Sequence, residues 1–238
     1  MDFRHTRFSL SRPLTNYAKI QHVIASLIRN RSWFIDQRRL REKEYVDVGC
    51  GANIHEHFIT LDYAWRPGLD LCWDITQGIP LPDHAVRGLF TEHCLEHLPF
   101  KHMDRVLGEF RRILKPNGCA RIVVPDGELY LTRYTDMIRH QSQTSLPYAA
   151  DDTHNGLYSP MMSVNRVFRA HGHLFIYDFA TLRLLLEKHG FLDIKKERYK
   201  TGRDPRLLID TDARSVESLY VEASAPATPI AAEEQKVP

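Results

Sequence analysis

The sequence predicts an α/β fold in which helices cover both faces of a doubly wound, mainly parallel sheet. Short β-type runs alternate along the chain with runs of helical periodicity. The predicted strands are apolar on both faces, which is typical of strands buried inside a parallel sheet. The 238 residues, of which 43% are hydrophobic and 26% charged, suffice for one domain of this kind with an insertion, or for two small domains.

The predicted elements follow one another in a regular order. Apolar residues at helical spacing predict one or two helices over residues 15–41, after an irregular arm at residues 1–14. Early strands are predicted in EYVDV, HFITLDY, LDLC, VRGLFTE and ARIVVPD, and late strands in FLDIKKERY and ESLYVEA. Amphipathic helices are predicted over residues 101–115 and 179–189.

This order divides the chain into three parts and reveals one short connection. The parts are N-terminal helices at residues 1–43, a main domain at 44–223 with an insertion at about 126–170, and a disordered tail at 224–238. Only residues 52–60 separate Gly51 from Leu61, whereas a parallel crossover normally needs about a dozen residues or more. We therefore expect the first crossover helix to be one turn long or absent.

Composition and charge narrow the classes of partner. The formal net charge is +2 and no long basic stripe alternates with aromatic residues, so nucleic acid is not an expected partner. Basic residues crowd the N-terminal part, where they form a solvated helix face or contact a second chain or an anionic substrate. The four cysteines form no C-x-x-C pair, no secretory leader is evident, and no apolar run reaches about 18 residues. We expect a cytoplasmic protein without a membrane span.

Residues 91–98 read T-E-H-C-L-E-H-L and contain the pattern H-x-x-E-H of some zinc enzymes, formed by His93, Glu96 and His97. Such a zinc site needs the pattern inside a helix and a third ligand from elsewhere. His93 instead follows directly on a predicted strand, so His93 and His97 need not share a helical face. We therefore expect no metal in this chain, and a zinc hydrolase stays only as an alternative function.

Acidic residues and glycines gather where the first four predicted strands end. Because the carboxyl ends of parallel strands meet at one edge of a sheet, we expect these residues to surround one ligand. They are Asp47, Gly49, Cys50 and Gly51 after the first strand, Asp62 after the second, Asp74 after the third, and Glu92 and His93 after the fourth. Glycines let the backbone approach a ligand closely, and an acid at the end of the second strand is typical of a ribose site.

The glycine pattern distinguishes between nucleoside-containing cofactors. In the dinucleotide pattern G-x-G-x-x-G, a third glycine lets the helix pack beneath the pyrophosphate, but here Ile54 stands at that position. An NAD-dependent oxidoreductase is therefore disfavoured, and no P-loop pattern occurs. Asp47 lies just before the glycines and suits a cofactor with a positive ammonium group.

A series of motifs spans about residues 44 to 223: DVGCG, LD, WDIT with IPLPD, EHCLEHL, LKPNG and HGHLFIYDFATLRLLLEKHGF. In this order and spacing they resemble the class I S-adenosylmethionine-dependent methyltransferases, and most of all a small bacterial type in which L-E-H follows strand four. The resemblance implies a Rossmann-like fold and a transferase that uses S-adenosyl-L-methionine as its cofactor. It also implies that the main domain is the methyltransferase domain.

The resemblance assigns a role to each residue at the strand ends. The methionine part of the cofactor would be faced by Asp47, Gly49, Cys50 and Gly51. Asp62 would bind the ribose hydroxyls, Tyr63 would lie against the adenine, and Asp74 would accept from the adenine amino group with Ile75 beside it. Glu92 and His93 would close the site near the methyl group. Each acid has an alternative interpretation as a helix cap or a surface charge. Because the short crossover leaves the methionine part less covered, we expect the N-terminal helix to compensate.

The insertion at residues 126–170 is expected to form the lid over the methyl acceptor. Its Tyr, His and Arg side chains suit a sugar, and suit a phenol equally. A hydroxyl acceptor needs a base to remove its proton, for which His171, His173 and His93 are the candidates. We predict methyl transfer to a hydroxyl, or an amine, of a small molecule or a sugar. A non-catalytic cofactor-binding regulator or partner subunit is the alternative, and the oligomeric state stays open.

Overall fold

A seven-stranded sheet forms the centre of the computed structural model, which describes residues 16–140 and 145–227. Its strands are β1 (Tyr45–Val48), β2 (Phe58–Asp62), β3 (Leu71–Cys72), β4 (Val86–Glu92), β5 (Leu114–Pro125), β6 (Leu192–Glu197) and β7 (Ser218–Ser224). They lie in the order β3-β2-β1-β4-β5-β7-β6. Strands β1 to β5 are parallel, and β7 runs antiparallel to β5 and to β6. The predicted α/β class with a mainly parallel sheet is confirmed.

Helices appear where helical periodicity predicts them. They are α1 (Asn16–Ile28), α2 (Gln37–Arg41), α3 (Met103–Ile113), α4 (Gly127–His140), α5 (Pro160–Arg169) and α6 (Phe179–Lys188). The apolar face of α3 is fully buried in the main core, together with Leu182 and Leu186 of α6. Helix α3 ends two residues earlier than predicted, because β5 already begins at Leu114 and reaches its regular register with β4 only at Cys119.

The two faces of the sheet are covered differently. Right-handed crossovers that run in opposite directions along a sheet place their helices on opposite faces. The β4–β5 crossover carries α3 on one face, but the β1–β2 crossover, residues 49–57, contains only turns, as the short connection predicts. The face left uncovered carries a second core around Tyr45 and Phe90, onto which Leu207 packs from the segment between β6 and β7. That segment covers the face on which the first crossover contributes no helix.

A buried ion-pair network fixes this segment to the sheet. Arg121 of β5 has no exposed side-chain surface, and its Nη2 and Nε lie 2.6 and 2.7 Å from the two carboxylate oxygens of Asp210. Its Nη1 donates to Glu222 of β7 at 3.0 Å and to the carbonyl of Thr201 at 2.9 Å. The loop is thereby held against the strands at several points, a device that the apolar appearance of ARIVVPD did not predict.

The insertion packs as a small unit with its own apolar contacts. Tyr130 of α4 and Val167 of α5 are buried together with Leu146. Arg166 links the unit internally through Asp152, and the hydroxyl of Tyr130 donates to Glu217 at 2.7 Å. Helices α4 and α5 make up much of the described part of the predicted insertion.

The chain ends fall partly outside the description. The irregular arm predicted at residues 1–14 and most of the tail predicted at 224–238 lie outside the described residues. Strand β7 runs through Ser224, and the buried Ala225 donates its N–H to the carbonyl of Gly118, so ordered structure continues past residue 223. Among the residues that the structure describes, no helix has the length and apolarity to cross a membrane.

Candidate functional site

A cavity of about 250 Å³ opens at the carboxyl edge of the parallel strands. It is lined by Gly49, Gly51, Leu61, Asp62, Tyr63, Ala64, Arg66, Trp73, Asp74, Ile75, His93, Cys94, His97 and Leu98. The lining brings together many of the residues that the strand ends predict. Asp47, Cys50 and Glu92, and the predicted bases His171 and His173, do not line it.

Two glycines shape the floor of the cavity. Gly49 has φ +78° and its N–H donates to the carbonyl of Leu61 at 2.7 Å. A Cβ on Gly49 would lie 2.6 Å from both Cβ and Sγ of Cys94, so only glycine fits between the loop and that side chain. Gly51, with φ +56°, turns its N–H toward the cavity acid Asp62.

The Asp62 carboxylate is held in place by backbone donors. Its Oδ2 accepts from the N–H of Gly51 at 2.8 Å, and its Oδ1 accepts from the N–H of Ala64 at 2.7 Å. Each carboxylate oxygen has a second lone pair with which to accept a further hydrogen bond. The Asp62 carboxylate is thus a fixed acceptor, and each of its two oxygens could accept from one of two vicinal hydroxyls.

The two residues that follow α1 contact Tyr63 and Asp74 of the cavity lining. The Arg29 guanidinium lies 3.5 Å from the ring centroid of Tyr63, and its Nε donates to the Tyr63 carbonyl at 2.8 Å. Asn30 accepts from the N–H of Asp74 at 2.7 Å. These contacts lie beside the residues predicted for adenine, whereas we expected the N-terminal helix to cover the methionine part.

Asp74 is a helix cap as well as a cavity residue. Its Oδ1 accepts from the N–H and the hydroxyl of Thr76 at 3.0 and 2.6 Å, at the start of a short 3-10 helix. The alternative interpretation of this acid as a cap is therefore compatible with its place in the lining, next to Ile75.

The carboxylates of Asp47 and Glu92 lie close to that of Asp62 but do not line the cavity. Asp47 is 2% exposed, and burial, with the charges of Glu92 and Asp62 as smaller causes, raises its pKa well above the ordinary value. Both oxygens of Glu92 accept from Thr211, one from the N–H and one from the hydroxyl. Glu92 therefore anchors the segment between β6 and β7 next to the cavity.

His93 occupies the predicted turn after β4, with φ +48°. Its Nδ1 lies 2.8 Å from Nη1 of Arg214, which can only donate, so the ring proton is assigned to Nε2, 2.8 Å from the hydroxyl of Ser218. The Ser218 hydroxyl donates onward to the carbonyl of Arg214. Burial, and then the charge of Arg214, lowers the pKa of His93 to about 4, so the ring is neutral at pH 7.

The other histidines of the two His-rich motifs meet at Glu96. Nε2 of His97 and Nε2 of His173 each lie 4.0 Å from Oε1 of Glu96. The three ligand-type atoms lie within 4.8 Å of one another, a grouping that could hold a metal ion. His171 is exposed, and its ring centroid lies 5.9 Å from that of His173.

Sequence reasoning missed several residues of the site. Trp73 and Arg66 line the cavity beside predicted residues, and the W-D pair before Ile75 offered a local signal for Trp73. Thr211 and Arg214 reach the site from more than a hundred residues away, and no local pattern marks them.

A larger groove of about 1040 Å³ lies at the opposite edge of the sheet, where β1 and β2 begin. Charged surface residues such as Arg39, Glu42 and Glu56 line it. It lacks the glycine turns and strand-end acids that distinguish the smaller cavity.

A profile of known proteins matches the part of the chain that forms the carboxyl edge of the parallel strands. The family profile described as "Methyltransferase domain" matches residues 50–122, which run from the glycine loop through most of β5. This stretch contains nearly all of the cavity lining. No curated protein sequence matches the chain.

Several solved structures are similar to this chain. One is an S-adenosylmethionine-dependent methyltransferase from Methanosarcina mazei, with 16% identity and a TM-score of 0.47 over 81% of this chain and 97% of that chain. Another is one from Mesorhizobium loti, with 16% identity and a TM-score of 0.47 over 78% and 92%. Phosphoethanolamine N-methyltransferase 2 of Haemonchus contortus has 12% identity and a TM-score of 0.46 over 77% of this chain and 49% of that chain. The present chain spans about half the length of the Haemonchus protein.

Proposed function

We propose that this protein, which is a class I S-adenosylmethionine-dependent methyltransferase, transfers the methyl group to a hydroxyl or an amine of a small molecule or a sugar. The observation that carries the proposal is the distribution of side chains along the cavity. Asp62, Tyr63 and Asp74 follow β2 and β3, His93 and His97 follow β4, and β1 with its glycine loop lies between these two groups in the sheet. A nucleoside end and a reacting end can therefore be told apart.

The lining fits S-adenosyl-L-methionine. The bare backbone at Gly49 and Gly51 allows close approach, and the fixed Asp62 carboxylate suits the ribose diol. Tyr63, backed by Arg29, offers its ring to the adenine. Arg66 brings a positive charge to the lining and is our candidate partner for the cofactor's carboxylate.

The carboxylates of Asp62, in the lining, and of Glu92, close to it, suit the two positive groups of the cofactor. Glu92 does not line the cavity, so we assign it an electrostatic role, whereas burial favours the neutral form of Asp47. When bound, the cofactor supplies a methyl group on a sulfonium: the acceptor atom bonds to the methyl carbon, the C–S bond breaks with its electron pair on sulfur, and the acceptor gives up one proton.

The histidines divide into positioning and accessible groups. Both ring nitrogens of His93 are hydrogen-bonded and the ring is neutral, so His93 holds Arg214 and Ser218 at the site. His97 lines the cavity and is partly exposed there. A base role for His171 or His173 stays a prediction, and neither side chain lines the cavity in this state.

The four cysteines are free thiols, which agrees with the cytoplasmic location that we propose.

The acceptor class can be tested with methyl-labelled cofactor and a cell extract divided by ultrafiltration. We expect label in the small-molecule fraction or in glycans, with an equal amount of S-adenosylhomocysteine formed, and none with Asp62→Ala. Label that protease or nuclease treatment releases from macromolecules would contradict the proposed acceptor. Mass spectrometry of the labelled product then distinguishes oxygen from nitrogen as the methylated atom.

A further inference from the structure

We propose that Glu96, His97 and His173 bind a divalent transition-metal cation beside the cofactor cavity, where the cation would hold the acceptor's oxygen. The binding site itself depends on these side chains alone. Its role toward the acceptor rests on the proposed function. We expected no metal from the sequence, because His93 follows directly on a strand and need not share a helical face with His97.

The three side chains come from two parts of the chain that the backbone fastens together. Glu96 and His97 lie in the short 3-10 helix after β4. The N–H groups of Leu174 and Phe175 donate to the carbonyl of Glu96 at 2.7 and 3.2 Å, which holds His173 beside it. The site therefore uses the second motif, H-G-H, to complete the first.

The spacing of the ligand atoms is close to that of a metal site. Oε1 of Glu96 lies 4.0 Å from Nε2 of His97 and 4.0 Å from Nε2 of His173, and all three atoms lie within 4.8 Å. Metal–ligand bonds of about 2.0–2.2 Å place the ligand atoms of a tetrahedral site about 3.4 Å apart. Small side-chain movements would bring these atoms to that distance.

Glu96 is the independent sign that something is bound here. Its side chain has no exposed surface, and neither carboxylate oxygen has a hydrogen-bond partner among the described residues. Nδ1 of His93 lies 3.3 Å from Oε1, but that nitrogen accepts from Arg214 and has no proton for the carboxylate. A buried carboxylate without a partner is costly, and a cation would supply the partner.

His173 is prepared as a ligand. Its Nδ1 lies 2.6 Å from the carbonyl of Val167 and must donate to it, so the lone pair is on Nε2, facing Glu96. Histidine ligands of metals commonly donate their other nitrogen to a carbonyl in this way. The carbonyl of Val167, which is not itself a ligand, thus fixes the orientation of the His173 ring.

The ligand set indicates which cations fit the site. The surroundings of the ligands indicate where the open coordination position lies. Two imidazoles with one carboxylate favour Zn²⁺, Mn²⁺, Fe²⁺ or Co²⁺ over Mg²⁺ or Ca²⁺, and the same set leaves a coordination position open. His97 is 24% exposed and lines the cavity, so that position faces the cofactor. Arg214, the positive side chain that contacts His93, lies 4.0 Å from Glu217, which offsets its charge.

The test is calorimetric titration of the chelator-treated full-length protein with Zn²⁺ and with Mn²⁺, with bound metal counted by elemental analysis after gel filtration. We expect one cation per chain, and affinity lowered at least about 100-fold in Glu96→Gln and in His173→Ala. His57→Ala is the matched control, because His57 is exposed and precedes β2 at the opposite edge of the sheet. Thermal unfolding without metal checks that each variant is folded.

Wild-type protein that binds neither cation would overturn the site, and so would binding that both folded variants retain. Titration of the same samples with S-adenosylhomocysteine separates this proposal from the proposed function. Cofactor-product binding without metal binding overturns the metal site alone. Metal binding that depends on Glu96 and His173, without cofactor-product binding, supports the site and overturns the proposed function.

Discussion

Replacing Arg121 by methionine is expected to lower the free energy of unfolding by about 3–5 kcal/mol, because removal of one partner from a buried ion pair leaves uncompensated charge. Arg121 has no exposed side-chain surface, and its partners Asp210 and Glu222 are equally enclosed. Methionine would leave both carboxylates buried without a cation. Urea unfolding followed by circular dichroism measures the loss.

The matched control for this prediction is Arg183→Met in α6. Arg183 pairs with Glu187 at 2.7 Å, but the two side chains are 58% and 45% exposed. An exposed pair of this kind contributes less than about 1 kcal/mol. A similar loss in both variants would show that the Arg121 network does not hold the segment between β6 and β7 as we describe.

Gly49→Ala is expected to lower the free energy of unfolding by about 2–4 kcal/mol and to abolish cofactor binding. The added Cβ would lie 2.6 Å from Cβ and Sγ of Cys94, and Cβ cannot rotate away. The left-handed φ of +78° adds a conformational cost that alanine bears and glycine does not. Urea unfolding and titration with S-adenosylhomocysteine measure the two effects.

Gly156→Ala separates the steric cost from the conformational one. Gly156 has the same φ of +78°, but a Cβ there would meet nothing within 4 Å. We expect this variant to lose only the conformational part, about 1–2 kcal/mol, and to keep cofactor affinity. Equal losses in the two variants would contradict the close approach of Cys94 to Gly49.

The sequence predicts well where the strands lie along the chain, because those signals are local. The runs around Val46, Ile59 and Leu89 are apolar on both faces, as buried parallel strands must be. The covering of the second face was not predictable in the same way. It depends on Leu207 and Asp210 reaching strands far away in sequence, and the loop carries no periodicity.

The residues of the candidate site likewise fall into a group that local sequence signals predict and a group that they do not. Asp62, Gly49 and Gly51 were predictable because a parallel sheet brings strand ends together whatever the loops do. The surroundings of Glu92 and His93 were not, since Thr211 and Arg214 come from the segment between β6 and β7. The meeting of Glu96 with His173 likewise depends on backbone hydrogen bonds across a long sequence gap.

Calorimetric titration of the wild-type protein and of Asp62→Ala with S-adenosylhomocysteine tests the central claim most directly. The predicted result is one site per chain with micromolar affinity in the wild type. In Asp62→Ala the affinity should fall at least about 100-fold, since the ribose loses two hydrogen bonds to a carboxylate. Asp193→Ala, an exposed acid in β6, is the control. Absence of binding in the wild type, or equal affinity in the wild type and folded Asp62→Ala, would contradict the assignment of this cavity to the cofactor.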